Sequence, residues 1–289
     1  MSSILTVGSP YLMKTAIILA SYIPNRSKLW VGQEVLDQIK KCVTDDYTIF
    51  AGLNPSRNDT EWLRVLNTYT QYVEVTPEHL IINSDASAYQ SALRAYEPHA
   101  GKFDLVIFLH LKGVTSGCHD VRRGHLHCLL GEYEITKDVL SKDDMAGSYG
   151  YTLLPVAKEG YAEGPIWDTL DRYCEWKYRP FKWFFACTLF AMKAHILDSF
   201  LGRANSAFLN ERLGTVYKSQ GDRYFFERDF GGIVSRSGYI MRYKRLINCV
   251  RGFTKKYGKI RGPELEVLYR SELSRWAKNN NIKLETPWI

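Results

Sequence analysis

The sequence predicts an α/β protein in which a mostly parallel sheet is flanked by helices. Three observations carry this prediction: apolar runs of strand length, segments with helical spacing between them, and a regular alternation of the two in the N-terminal part. Strands that alternate with helices in this way form βαβ units, whose strands pair in parallel. Hydrophobic residues make up 45% of the 289 residues and charged residues 24%, which is typical of a globular chain with a sizeable core.

The first strand is predicted at 15–20, where an uninterrupted, mainly apolar run fits a strand buried on both faces. Val31, Val35 and Ile39 then recur every four residues, which is a helical spacing. The elements that follow the first strand are, in order, a helix at 28–42, a strand at 46–52, a helix at 61–71, a strand at 72–76, a helix at 86–96 and a strand at 103–109.

The second half of the chain is less regular. Residues 144–154 read as a turn into a strand, residues 188–202 as a helix, and residues from about Tyr239 onward as two amphipathic helices. We therefore predict an α/β domain over 1–235, followed by a basic helical C-terminal extension over 236–289 that packs on it.

The net charge of +7 is unevenly distributed. Residues 236–289 carry 13 Lys and Arg against four Glu, a net charge of +9, which leaves −2 for the rest of the chain. Such a segment indicates an anionic partner, and nucleic acid, an acidic glycan or an anionic membrane surface all qualify. A solvated helical face explains the same charges equally well.

The compartment is predicted from the cysteines and the apolar runs. The six cysteines are scattered and form no Cys-x-x-Cys pair, so they read as free thiols in a reducing compartment. Apolar runs are far shorter than the ~20 residues of a membrane-spanning helix, and the N-terminus has no signal-peptide pattern. We therefore expect a cytoplasmic protein, in the host cytoplasm if it is viral.

Polar clusters follow the first and fourth predicted strands, and ligands of doubly wound sheets bind outside the carboxyl ends of the strands. After the fourth strand, His110 and Lys112 stand at alternate positions, and Gly113 lets the backbone turn closely past a ligand. A lysine ammonium can neutralise a diphosphate directly as a point charge. A structural pair at a strand end is the alternative.

These residues resemble a family of bacterial and viral glycosyltransferases of the GT-A kind. Members carry a strand followed by His-x-Lys-Gly-Val-Ser/Thr, which matches the segment from His110 to Thr115. A small turn and an aromatic stretch follow in the same order, matching 144–147 and 181–186, and the likeness covers roughly 15–197. The resemblance implies a GT-A-like (Rossmann-like) fold that holds a nucleotide-sugar.

The resemblance also implies the reaction, transfer of a hexose or pentose from a nucleotide-sugar to an acceptor hydroxyl. Many GT-A enzymes hold a divalent metal on the donor diphosphate with an Asp-x-Asp pair, where this chain has His110 and Lys112. Lys112 would stabilise the leaving diphosphate, because a fixed cation offsets the negative charge that develops there. We accordingly expect no cofactor beyond the donor and little or no metal requirement.

Further donor-binding candidates follow from their positions in such a fold. The loop after the first strand contributes Ala20, Ser21, Tyr22 and Arg26, where Tyr22 would stack on the base and Arg26 would pair with a phosphate. An ordinary capped loop is equally compatible with these residues.

Two more groups stand near the same predicted edge. Asn83 and Asp85 open the helix before the central strand, although helix capping alone would explain them. Arg122 and Arg123 follow the lysine loop and would close over the diphosphate, with a solvated surface as the alternative.

A catalytic base must come from a carboxylate or a histidine if the reaction inverts the anomeric centre. Glu227 and Asp229 lie between aromatic residues, where desolvation raises the pKa of a carboxylate and suits it to this role. Asp144, in a glycine-containing turn, is the third candidate.

The aromatic and basic stretch around Trp183 and Phe184 predicts an acceptor platform, with Arg179 and Lys182 beside it. Core packing explains the aromatic residues equally well. The acceptor is either modified (hydroxymethylated) DNA of the phage type or a cell-surface or viral glycan. The alternative from another functional class is a non-catalytic nucleic-acid-binding protein on a degenerate glycosyltransferase fold.

Overall fold

The computed structural model describes most of the chain up to position 210 and one short strand beyond it. The described residues are 13–56, 59–80, 85–111, 114–115, 117, 119–131, 133–147, 150–153, 182–185, 188–210 and 237–239. Helices were predicted from about Tyr239 onward; Tyr239 itself ends a described strand, and the residues after it lie outside these ranges.

The strands and helices follow one another much as the sequence pattern predicts. The strands are β1 (Lys14–Ser21), β2 (Asp46–Leu53), β3 (Tyr72–Val75), β4 (Leu105–His110), β5 (Met145–Gly147), β6 (Gly150–Leu153), β7 (Lys182–Phe185), β8 (Phe190–Lys193) and β9 (Ser237–Tyr239). The helices are α1 (Leu29–Cys42), α2 (Asp59–Asn67), α3 (Ala86–Tyr96), α4 (His119–Leu129), α5 (Tyr133–Lys142) and α6 (Ala194–Asn210).

Within the described residues, the main sheet has seven strands in the order β3-β2-β1-β4-β8-β5-β9, and β6 and β7 form a separate antiparallel pair. Strands β1 to β4 pair in parallel, whereas β8 is antiparallel to both of its neighbours, β4 and β5. The sheet is therefore mostly parallel, as predicted, with one strand reversed inside it.

Helices cover both faces of the sheet because the central strands are apolar on both sides. Ile17 and Leu19 of β1 face the cluster that contains residues of α1, α2, α4 and α5. Ile18 and Ala20 face the opposite cluster, to which α3 and α6 contribute. The continuous apolar run that predicted β1 is thus explained by burial on both faces.

A glycine sets how closely α3 approaches the sheet. A Cβ at Gly52 of β2 would stand 1.7 Å from the Ala88 carbonyl oxygen and 2.6 Å from the Ala92 amide nitrogen. Gly52 pairs with Ala20, and Ala20 pairs with His110, so small residues occupy the row beside His110 beneath α3. With α3 packed closely on β1 and β2, Asp85, the residue that precedes this helix, reaches His110 at the end of β4 at 2.8 Å.

Two predictions about the second half need correction. Residues 188–202 were predicted as one helix, but β8 occupies Phe190–Lys193 and the helix begins only at Ala194. The periodicity of a short apolar run cannot show whether it forms a strand or a helix. Here the run is a strand because it lies between β4 and β5 and pairs with both of them. The sheet also extends past position 235, because Ser237–Tyr239 pairs with β5.

The opposite, amino-terminal edge of the sheet is held by a buried polar cluster. The Tyr133 hydroxyl shares a hydrogen bond with Thr15 Oγ1 at 2.6 Å and donates to Asp45 at 3.0 Å. Lys137 Nζ donates to the same Asp45 carboxylate at 3.0 Å.

Among the helices that the structure describes, none is long and apolar enough to cross a membrane.

Candidate functional site

The carboxyl ends of β1 and β4 form a switch point in the sheet. The chain leaves β1 toward β2 on one side, returns through α3, and leaves β4 toward the other side. Adjacent strands whose connections depart in opposite directions leave a crevice at this edge, which is where doubly wound sheets bind their ligands. Ser21 ends β1 and His110 ends β4 at this crevice.

His110 is the best-defined polar side chain at the switch point. Only 7% of the residue is exposed. Its Nδ1 lies 2.8 Å from a carboxylate oxygen of Asp85, the residue that precedes α3, and its ring is 6.1 Å from the ring of Tyr89. Its other ring nitrogen, Nε2, is buried and has no hydrogen-bond partner within the part of the chain that the structure describes.

The Asp85 carboxylate orients the His110 ring. An ionised carboxylate can accept hydrogen bonds but cannot donate them, so the Nδ1–H group of His110 donates a hydrogen bond to Asp85. Nε2, on the other side of the ring, then faces away from Asp85. Asp85 was expected to cap α3 or to sit beside the donor, but its side chain makes no capping hydrogen bond to the helix. Its charge still stands at the positive end of the α3 dipole.

A second cluster lies at the starts of α1 and α4 and is built around Glu34. Both Arg122 and Arg123 pair with the Glu34 carboxylate, the latter at 2.6 Å. Their guanidinium carbons lie 5.6 and 5.9 Å from the ring centre of Trp30, and the His119 ring lies 4.7 Å from the same ring. The sequence pattern missed Glu34 and Trp30, because these contacts join residues far apart in the chain.

The two arginines therefore have different roles. The Arg122 side chain is completely buried, and its Nη1 donates to His119 Nδ1 at 2.9 Å. A buried guanidinium cannot close over a ligand at the surface, so the predicted role of Arg122 is not supported by its position. Arg123 is 54% exposed, and Glu34 holds only its Nε, so its terminal nitrogens are available at the surface.

The charges of this cluster shift the ionisation of its members. Burial would raise the pKa of the Glu34 carboxyl, but hydrogen bonds and charges from Arg122 and Arg123 outweigh it and hold that pKa below the ordinary value. Burial, and then the charges of Arg122, Lys28 and Arg123, lower the pKa of His119. The lowered pKa favours the neutral ring, whose Nδ1 accepts the hydrogen bond from Arg122.

The loop after β1 offers fewer free groups than predicted. Ala20 is buried, and the Ser21 hydroxyl donates to the Gly52 carbonyl at 2.9 Å, so both are occupied in packing. Arg26 is exposed and pairs with Glu61 of α2 at 3.2 Å. Tyr22 is 37% exposed and remains available for stacking.

Asp144 lies at the wrong edge of the sheet for a role at this crevice. It precedes β5 and pairs with Lys193 at 3.3 Å, and Lys193 is in register with Leu105 at the start of β4. At ~3.3 Å per residue along a strand, the start of β4 is about 17 Å from His110. Asp144 therefore cannot act on a ligand held at His110.

Several predicted residues lie where the structure gives no side-chain geometry. Lys112, Gly113, Asn83, Arg179, Glu227 and Asp229 are outside the described residues. Lys182, Trp183 and Phe184 form part of β7, which pairs with β6. The predictions for these residues stand as predictions.

No group of three or more potential metal ligands occurs among the residues that the structure describes. No protein-family model matches the chain, and no curated protein is significantly similar to it.

Proposed function

We propose that this protein is a glycosyltransferase that moves a sugar from a nucleotide-sugar donor to an acceptor hydroxyl. The observation that carries the proposal is the buried His110 ring at the switch point, which Asp85 orients so that Nε2 has no partner among the described residues. An oriented but unsatisfied polar atom in a sheet crevice is typical of a ligand site, because leaving it unpaired has a cost in free energy.

The surroundings of the crevice favour an anionic ligand. Helices α1, α3 and α4 begin on this side of the sheet, so the positive ends of three helix dipoles lie near it. Arg123 adds an exposed guanidinium beside the α4 start, and Lys112 follows His110 by two residues in the sequence. A donor diphosphate has the charge and the oxygen acceptors that such an edge binds.

The chemistry follows from the charge that develops during transfer. The bond between the anomeric carbon and the diphosphate oxygen breaks, and its electron pair stays on the departing diphosphate. Lys112 and His110 stabilise that charge, at the point in the chain where many GT-A enzymes have the Asp-x-Asp pair that holds a metal ion. Glu227 and Asp229 are the candidates for the base that takes the acceptor proton, with modified DNA or a glycan as the acceptor.

Ligand binding is the first test of this proposal. The melting temperature should be measured with a panel of nucleoside diphosphates and nucleotide-sugars in the presence of EDTA. A ligand at 100 times its Kd stabilises the folded state by about 2.7 kcal/mol, which raises Tm by about 5–11 °C for a chain of this size. No shift with any member of the panel would refute a donor site.

Activity is the second test, with matched lysine variants. Lys112→Ala should abolish sugar transfer or donor hydrolysis while the protein stays folded. Lys41→Ala serves as the control, because Lys41 is exposed near the C-terminal end of α1, away from the crevice. A fully active Lys112→Ala variant would contradict the role of Lys112, and activity that requires manganese would contradict the metal-independent mechanism.

A further inference from the structure

We infer that the surface formed by Lys28, Trp30, His119 and Arg123 (the Trp30 surface) binds single-stranded nucleic acid. One base of the strand stacks on the Trp30 indole, and phosphates beside that base pair with Lys28 and Arg123. The inference concerns binding alone, so it stands whether or not the protein transfers a sugar. It adds a new site, because neither Trp30 nor Lys28 is among the donor or acceptor candidates.

Trp30 presents an oriented aromatic ring to solvent. It lies in the first turn of α1 and is 43% exposed. The guanidinium carbons of Arg122 and Arg123 lie 5.6 and 5.9 Å from its ring centre, and the His119 ring packs on it at 4.7 Å. Glu34 holds both guanidinium groups, so the contacts that orient the indole are themselves held in place. A ring that is already oriented loses little conformational freedom when a ligand stacks on it.

The charge around Trp30 is positive. Burial, and then the charges of Arg122 and Lys28, lower the pKa of His119, so Lys28 lies close to this cluster. Glu34 is the one carboxylate that the described residues place among the three cations, which leaves a net charge of +2 when His119 is neutral. The N-terminal ends of α1 and α4 add partial positive charge. The Trp30 surface therefore attracts an anion.

An aromatic ring beside cations suits a nucleotide unit. Every base has a π face that stacks on an aromatic side chain, and the phosphate next to it accepts charge-assisted hydrogen bonds from lysine and arginine. Glu34 holds only the Nε of Arg123, so the terminal nitrogens of Arg123 can donate to a phosphate. Lys28 immediately precedes α1, two positions before Trp30, and supplies a second cation.

The exposure of the surface favours a strand over a free nucleotide. Small ligands bind in pockets that bury most of their surface, whereas Trp30 and the Arg123 side chain are both about half exposed. Proteins that bind single strands use aromatic platforms beside cations. A duplex cannot stack on the indole in this way, because neighbouring bases cover the faces of each base.

Strand binding by the full chain tests the inference, with fluorescein-labelled oligothymidylate of about 6 nucleotides followed by anisotropy in EDTA at several salt concentrations. Trp30→Ala should weaken binding by about 5- to 100-fold, the effect of losing one stacked base. The slope of log K against log salt should not change, because stacking releases no counterion. Trp30→Phe keeps a π face and should bind more tightly than Trp30→Leu, which keeps only an apolar side chain. Melting temperatures confirm that each variant is folded.

Lysine variants test the phosphate contact. Lys28→Gln should reduce the steepness of the salt dependence by about 0.7, the contribution of one phosphate contact on a single strand. Lys41→Gln makes the same change in the last turn of α1, about 20 Å further along the helix, and should bind like the wild type. Arg123 is also a candidate for the donor diphosphate, so Lys28 is the cation that tests the strand by itself.

The outcomes separate the inference from the proposed function. Absent strand binding, binding that Trp30→Ala and Trp30→Leu leave unchanged, or equal salt slopes for Lys28→Gln and Lys41→Gln would overturn the inference. An equal loss of duplex binding in Trp30→Ala would also overturn it, since a duplex cannot stack.

Uridine diphosphate is titrated in parallel. If Trp30→Ala weakens binding of the diphosphate and not of the strand, Trp30 stacks on a donor base, so the inference fails and the nucleotide-sugar proposal is supported. If strand binding depends on Trp30 while no nucleoside diphosphate or nucleotide-sugar binds, the inference holds and the proposed function is refuted.

Discussion

Replacing Gly52 with alanine tests the close approach of α3 that places Asp85 beside His110. The added Cβ would stand 1.7 Å from the Ala88 carbonyl oxygen, whereas real Cβ atoms essentially never come within 3.0 Å of such an atom. The helix would therefore have to retreat by about 1.3 Å, the difference between these distances. Because the obstructing atoms, the Ala88 carbonyl oxygen and the Ala92 amide nitrogen, belong to the backbone of α3, side-chain rearrangement cannot relieve the clash.

We expect Gly52→Ala to destabilise the protein by about 3 kcal/mol, the upper end of the usual cost of overpacking. For a chain of this size that lowers Tm by about 6–12 °C. Calorimetry and urea unfolding measure the change directly. Binding of nucleoside diphosphate should weaken as well, because α3 carries Asp85 away from His110.

Gly202→Ala is the matched control, since it makes the same change in α6 where the added Cβ meets no atom of the described residues within 4 Å. This variant should be neutral or more stable by up to about 1 kcal/mol, because alanine favours helix. The reasoning would be refuted if Gly52→Ala were as stable as the wild type while Gly202→Ala behaved as expected.

Three further predictions concern the remaining charged groups. Glu34→Gln removes the carboxylate that compensates buried Arg122 and should cost about 3 kcal/mol in urea unfolding at pH 7. Because the pKa of Glu34 is lowered, the contribution of its carboxylate to the free energy of unfolding is complete above the ordinary value of 4.5 and is lost as pH falls through the folded-state pKa. The unfolding free energies of Glu34→Gln and the wild type should therefore converge in acid. A difference in unfolding free energy that stays constant with pH would contradict this reasoning. Asp45→Ala removes the carboxylate that Lys137 and Tyr133 share, and should lower the free energy of unfolding by about 2–4 kcal/mol. A loss below about 0.5 kcal/mol, roughly the scatter of ordinary surface substitutions, would show that the cluster is not needed for stability. If modified DNA is the acceptor, affinity for duplex DNA should fall about 10³-fold between 50 and 200 mM salt, as about six phosphate contacts require, and salt-independent or absent binding removes this acceptor.

The alternation of strands and helices up to β4 was predictable from local patterns in the amino-acid sequence. Thr15–Ala20 and Phe103–Leu109 were recognisable because strands buried on both faces are continuously apolar. Val31, Val35 and Ile39 marked a helix because they recur every four residues. These are local signals, since each depends only on residues within one element. The position of His110 at the end of a strand, and hence at a sheet edge, followed from the same signals.

The tertiary structure alone decided which groups meet. Glu34 pairs with Arg122 and Arg123, which lie 88 and 89 positions further along the chain. The Asp85 side chain pairs with His110, 25 positions further on, and does not cap the helix. Asp144 lies at the amino-terminal edge of the sheet because it precedes β5, which runs parallel to β4. Phe190–Lys193 forms the strand β8 because its backbone pairs with β4 on one side and β5 on the other. Charge pairing and sheet order depend on how distant segments pack, and no pattern within a single segment carries that information.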